Sequence, residues 1–191
     1  MDLSLAAIFS AFIPLFVVMD PFSSVPVFIS LTKSMPAAAR REAAEIASLV
    51  ATGVLVGFLL IGPLVLSVMG IRMESFEIGG GILMLLIAVS FALGIDYGGK
   101  QKTSVEAVII GVPLLSGPGT MLTTVLLSNS FGFWNVLAAG VLSCLASFAI
   151  LLLSSRVYRV IGKNGLEILS RVSGVLLAAF AVEYIRKGFG L

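Results

Sequence analysis

The stretch LAAIFSAFIPLFVVMDPFSSVPVFISL, residues 5–31, is apolar over most of its length yet carries one aspartate and three prolines. A helix needs about 20 predominantly apolar residues to cross the hydrocarbon core of a bilayer, so this run is long enough to span one. Pro14, Pro21 and Pro26 work against a continuous helix, because proline lacks a backbone donor and clashes with the preceding turn. Asp20 puts a carboxylate at bilayer depth, where ionisable groups are costly and mark function by default. The run therefore reads as a membrane span that is interrupted near Asp20-Pro21.

The rest of the chain fits that environment. Of 191 residues, 59% are hydrophobic and 12% charged, about half the charge of an ordinary soluble domain. The mean hydropathy is +1.14. Apolar runs at roughly 5–31, 43–69, 76–95, 106–128, 134–155 and 167–187 give six expected spans, and an all-α integral membrane protein. The net charge of +2 leaves no nucleic-acid footprint. A single cysteine, Cys144, excludes an internal disulfide, a CxxC redox pair and a cysteine metal cluster. There is no histidine, and no nucleophile–base or metal-ligand set stands out, so neither an enzyme nor a resident metal or cofactor is expected. Asp2 occupies the place of a basic n-region, so the first span is not expected to be a cleavable signal.

Charges gather between the spans. Lys33, Arg40, Arg41, Lys100, Lys102, Arg156, Arg159 and Lys163 fall on one side, Arg72, Arg186 and Lys187 on the other, and Arg171 opens the sixth span. The positive-inside rule makes the first side cytoplasmic and puts both termini outside a cytoplasmic membrane. Thr103-x-x-Glu106 and Asn164-x-x-Glu167 resemble capping boxes and predict helix starts. Glu183 precedes Arg186 and Lys187 by three and four residues, which predicts pairing on one helix face. Gly79-Gly80-Gly81 predicts a close helix approach in span three. Trp134 and Tyr158 read as interfacial anchors.

The chain also shows internal similarity. VATGVLVG (50–57) aligns with LAAGVLSC (137–144), and GILMLLIAVSF (81–91) with GVLLAAFAVEY (174–184). Span two then matches five, span three matches six, and span one must match four. With three spans per half the second half enters from the opposite face. The expectation is one membrane domain over 1–191, built as two inverted 3+3 repeats of about 1–95 and 96–191. Span four holds the second interruption, PLLSGPGTMLTTV at 113–125, in which Gly117-Pro118-Gly119 should stop a helix. Pro118 aligns with Pro21.

Two interrupted helices at corresponding positions point to a transport site near the midplane. Half-helix N-termini suit an anion and half-helix C-termini a cation, so such a site can hold both ends of a zwitterion. Candidate binding residues are Asp20, Pro21, Phe22, Ser23, Ser24 and Val25 from span one. Span four contributes Ser116, Gly117, Pro118, Gly119, Thr120 and Thr123. Their small side chains favour a small ligand. Asp20 has three open roles: it can bind an ammonium, carry a coupling proton, or cap the half-helix that begins at Pro21.

These motifs resemble the MarC family of membrane proteins. The family's Asp-Pro-x-Gly-x-x-Pro-x-Phe motif reads here as Asp20-Pro21-Phe22-Ser23-Ser24-Val25-Pro26-Val27-Phe28. Its Pro-Leu-x-x-Gly-Pro-Gly motif reads as Pro113-Leu114-Leu115-Ser116-Gly117-Pro118-Gly119, and GGGIL opens span three. Ser23 departs from the usual glycine, which makes close backbone approach less comfortable there. The resemblance implies transport of small neutral amino acids such as glycine and alanine, with H⁺ or Na⁺ as a possible coupling ion. The alternatives are an exporter of drugs or other metabolites and a non-transporting structural or regulatory membrane protein. One buried carboxylate argues against cationic cargo, small motif residues against bulky cargo, and paired helix breaks against a structural role.

Overall fold

A computed structural model describes residues 3–32, 34–94 and 117–190. Among them lie seven helices and no strand: α1 Leu5–Met19, α2 Pro21–Thr32, α3 Ala37–Val68, α4 Met73–Leu93, α5 Pro118–Phe131, α6 Phe133–Leu152 and α7 Ser154–Gly188. Taken together α1 and α2 are long and apolar enough to cross a membrane, and so are α3, α4, α6 and α7. The protein is an all-α integral membrane protein. Its outward faces carry large apolar side chains, such as Leu64 at 62% exposure and Val68 at 80%, which cost nothing against lipid tails. The expected span at 106–128 is described only in its second part, because α5 starts at Pro118.

Small residues set how the helices meet. In α4 and α7 they recur every seven residues, at Gly81 and Ala88 and at Gly174, Ala181 and Gly188. A seven-residue stripe keeps two supercoiled helices in register. The two helices run antiparallel with their backbones in near contact. A Cβ added to Gly174 would stand 2.6 Å from the Ala92 nitrogen and 2.9 Å from the Ala88 oxygen. One added to Gly81 would stand 2.8 Å from the Ala181 oxygen, and one added to Gly188 would stand 2.8 Å from the Glu74 oxygen. The close approach expected at Gly79-Gly80-Gly81 is therefore present at Gly81 and at Gly80, which faces Leu122, while Gly79 has open space beside it. Helices α3 and α6 form a second antiparallel pair, in which Gly140 receives Leu55 and the Ser48 hydroxyl donates to the Cys144 carbonyl at 3.4 Å.

One local expectation needs correction. The basic stretch around Arg156, Arg159 and Lys163 is helical, not a loop, because α7 begins at Ser154 and bends at Gly162 (φ 71°, ψ 173°). Two helical segments are joined across Gly162, so Asn164 lies in the first turn of the second, where a helix start was expected, and Glu167 pairs with Lys163 at 3.7 Å. Glu183 pairs with Arg186 at 2.7 Å, the expected pairing on one helix face, while the Lys187 ammonium turns to Glu77 of α4. The Thr103–Glu106 cap lies outside the described residues.

The α4–α7 contact makes a prediction about stability. Gly174→Ala should lower unfolding stability in detergent by about 1–3 kcal/mol, since overpacking against backbone cannot relax by a rotamer change. Gly53→Ala, with no atom within 4 Å of the new methyl, should leave it unchanged or raise it. Thermal unfolding of the two variants side by side checks this, and equal melting temperatures would contradict it.

Candidate functional site at the helix break

Helix α1 stops at Met19 because Asp20 adopts the left-handed conformation, φ 35° and ψ 66°. Among the described residues it is the one non-glycine residue with positive φ. That conformation costs most side chains about 1–2 kcal/mol, and Asp and Asn tolerate it best. The Asp20 N–H still reaches the Val17 carbonyl at 3.3 Å. Pro21 then occupies the first position of α2, where a helix has no use for an N–H.

The Asp20 carboxylate is enclosed by donors. It accepts the Ser23 N–H at 3.4 Å through Oδ1, and through Oδ2 it accepts the Ser23 hydroxyl and the Ser170 hydroxyl, the latter at 2.8 Å. The Ser23 and Ser170 hydroxyls also touch each other. Asp20 is 2% exposed. Hydrogen bonds to a charged group contribute roughly 1.5–3 kcal/mol each, enough in sum to offset an insertion cost of about 2.5–3.5 kcal/mol for a central carboxylate. Asp20 is thus a helix cap whose second oxygen ties α2 to α7. Ser170 was not among the residues that the sequence singled out. It lies 150 positions away, and no local pattern separates it from other serines.

The second break begins at Gly117, whose extended backbone (φ −66°, ψ 177°) leads into Pro118 at the start of α5. The Gly117 carbonyl accepts the Thr120 N–H at 3.0 Å and the Met121 N–H at 3.2 Å. No acidic side chain stands in the first turn of α5. A Cβ added to Gly119 would lie 3.0 Å from Val18 Cγ1 and 3.2 Å from Ile87 Cδ1. Gly119 therefore abuts the last turn of α1 at the depth of mid-α4, and the start of α5 meets the break at Asp20.

The other candidates are distributed around this junction. The Ser24 hydroxyl donates to the Asp20 carbonyl at 3.3 Å, and Val25 is fully buried in the core. Phe22 sets its ring edge-on to Phe16, with centroids 6.1 Å apart. Thr120 and Thr123 are buried, and the Thr123 hydroxyl faces the Met84 sulfur at 3.6 Å. Ser116 lies outside the described residues. The junction combines a carboxylate, two hydroxyls and two helix N-termini in a buried setting. One of those termini, that of α2, is already occupied by Asp20.

Comparison with known proteins gives a consistent identity. The family model for the MarC family integral membrane protein matches residues 5–190. A UPF0056 membrane protein of Aquifex aeolicus is 36% identical, over 93% of this chain and 90% of its own length. The UPF0056 membrane protein YhcE of Escherichia coli is 36% identical, over 94% and 90%. A UPF0056 membrane protein of Methanocaldococcus jannaschii is 34% identical, over 93% of each chain. No solved structure matches.

Two substitutions separate the roles of Asp20. Asp20→Asn keeps a capping oxygen and a residue that tolerates positive φ, and should unfold close to the wild type. Asp20→Ala loses the cap and must still adopt the left-handed conformation, and should be less stable than Asp20→Asn by about 1–2 kcal/mol. Detergent unfolding curves check the order, which equal stability of the two variants would refute.

Proposed function

The chain belongs to the MarC family of integral membrane proteins, and from that premise we propose that it is a secondary transporter of small neutral amino acids of the glycine and alanine class. The observation that carries this reading is the meeting of the two helix interruptions, with Gly119 of α5 against Val18 beside the buried Asp20. Irregular backbone at membrane depth is tolerated where it is buried in protein or lines a cavity, and paired interruptions are the usual makings of a transporter site.

The substrate carboxylate sits at the N-terminus of α5, where the first turn carries no acidic side chain. Its ammonium faces Asp20, with Ser23 and Ser170 beside it. A proton on Asp20 is the favoured coupling ion, and Na⁺ is the other candidate. Gly119 lets the two breaks meet, since a methyl there already crowds Val18 and Ile87.

The inverted repeat that alternating access calls for is supported by one detail of packing. A Cβ on Gly81 would meet the Ala181 oxygen and the Ile185 nitrogen, and one on Gly174 would meet the Ala88 oxygen and the Ala92 nitrogen. The same sequence offset separates Gly81 from Gly174, Ala88 from Ala181 and Ala92 from Ile185. It is also the offset that aligns 81–91 with 174–184. Exchanging the two halves maps one contact onto the other. In this reading the protein lies in the cytoplasmic membrane with both termini outside, as its lysines and arginines suggest.

Purified protein in liposomes should exchange radiolabelled glycine above the level of empty liposomes, and Gly119→Val should lower that flux at least tenfold with the protein still folded. Flux no higher than that of empty liposomes would reject this substrate class.

A further inference from the structure

A second buried carboxylate stands away from the break. Glu77, in the second turn of α4, is 4% exposed, and its Oε1 lies 3.7 Å from the ammonium of Lys187 at the end of α7. The same ammonium donates to the Ser130 hydroxyl, in the last turn of α5, at 2.7 Å. Three helices are joined at one end of the molecule by one lysine.

Helix packing gives that lysine a particular place. Helix α1 packs on α5, α5 on α4, α4 on α7 and α7 on α1, which closes a ring of four. Neither diagonal of the ring, α5 with α7 or α1 with α4, is packed side by side. Both breaks face this ring, at Asp20 with Ser170 and at Gly119 with Ile87. The Lys187 side chain crosses the α5–α7 diagonal at the mouth of the ring. Glu183 engages Arg186, which leaves Lys187 to Glu77. Glu77 is buried on α4 while the Lys187 side chain is 46% exposed, so solvent reaches the pair from the lysine side only and screens it less than a pair exposed on both sides.

We propose that Glu77 and Lys187 form a strap that holds the α5 end against the α4–α7 pair and closes the ring to solvent at this end. The near contact of the α4 and α7 backbones makes that pair the fixed part. The last turn of α5, exposed at Asn129 and Ser130, is the movable part, and release of Lys187 from Ser130 opens this end of the ring. The inference rests on the transporter reading only in treating the ring as a path for substrate.

Cysteine labelling tests it without any substrate. In a Cys144→Ser background, Thr123→Cys places a thiol at a fully buried position of α5 that faces α4. Labelling by a charged maleimide in detergent should be slow. Lys187→Met and Glu77→Gln should each speed it about tenfold, as expected when a minor open state becomes well populated. The double variant should add little more. The exchanged pair, Glu77→Lys with Lys187→Glu, should restore slow labelling, and Ser130→Ala, a milder change, should speed it. An unchanged rate in Lys187→Met with its melting temperature retained overturns the strap, and so does failure of the exchanged pair to restore protection. Either result leaves the glycine flux measurement standing on its own.

Discussion

Inside a bilayer no water reaches the backbone, so every peptide group must find a partner within the protein. An intact helix meets that demand alone, and a broken one does not. At Asp20-Pro21 the demand is met in three ways. Pro21 has no N–H to satisfy, the Asp20 carboxylate takes the Ser23 N–H, and the Asp20 N–H folds back onto Val17. The carboxylate then becomes the group that needs partners, and Ser23 and Ser170 supply them. The break is stable only where α7 can deliver Ser170, so the local interruption dictates which helix packs beside it.

That requirement explains the uneven packing of the bundle. Helices α4 and α7 approach through glycine and alanine until backbone meets backbone. In lipid, apolar side chains gain nothing by leaving the solvent, so close van der Waals fit is what drives two helices together. The resulting pair is stiff and presents Ser170 at a fixed height. Helix α5 packs through larger side chains, with Leu122 over Gly80 and Val125 over Gly62, and is buried along most of its length until Asn129 and Ser130 emerge at its end. Backbone contact and side-chain packing are thus divided between elements that together surround the break.

Much of this was written in the sequence, and the reason is that breaks and spans are local signals. Long apolar runs fixed five of the six expected spans among the described residues, and Asp20-Pro21 marked the first interruption because proline and aspartate act on their immediate neighbours. Helix α5 starting at Pro118 followed from the same logic. What escaped depends on distant partners or on context. Ser170 is identified only by the carboxylate it reaches from another helix. The charged stretch 154–161 looked like a loop, yet at the bundle edge its arginines project outward from a helix. Glu183 found Arg186 at the helical spacing that was expected, whereas the turn of Lys187 toward a buried carboxylate on α4 depends on another helix.

The cap at Asp20 also constrains how a zwitterion can sit at the junction. Two half-helices offer their N-termini, and by symmetry each suits a carboxylate. The Asp20 carboxylate already occupies one of them, on the Ser23 N–H. A second carboxylate placed there would face a like charge across a medium that screens poorly. On the proposed transporter reading the substrate anion goes to the start of α5, which has glycine and proline where α2 has aspartate. The asymmetry between Asp20 and its counterpart Gly117 then orients the ligand. On that reading the ammonium lies toward Asp20 and the carboxylate toward the start of α5. A single side chain, aspartate at one break and glycine at the other, thus sets the direction of the proposed site.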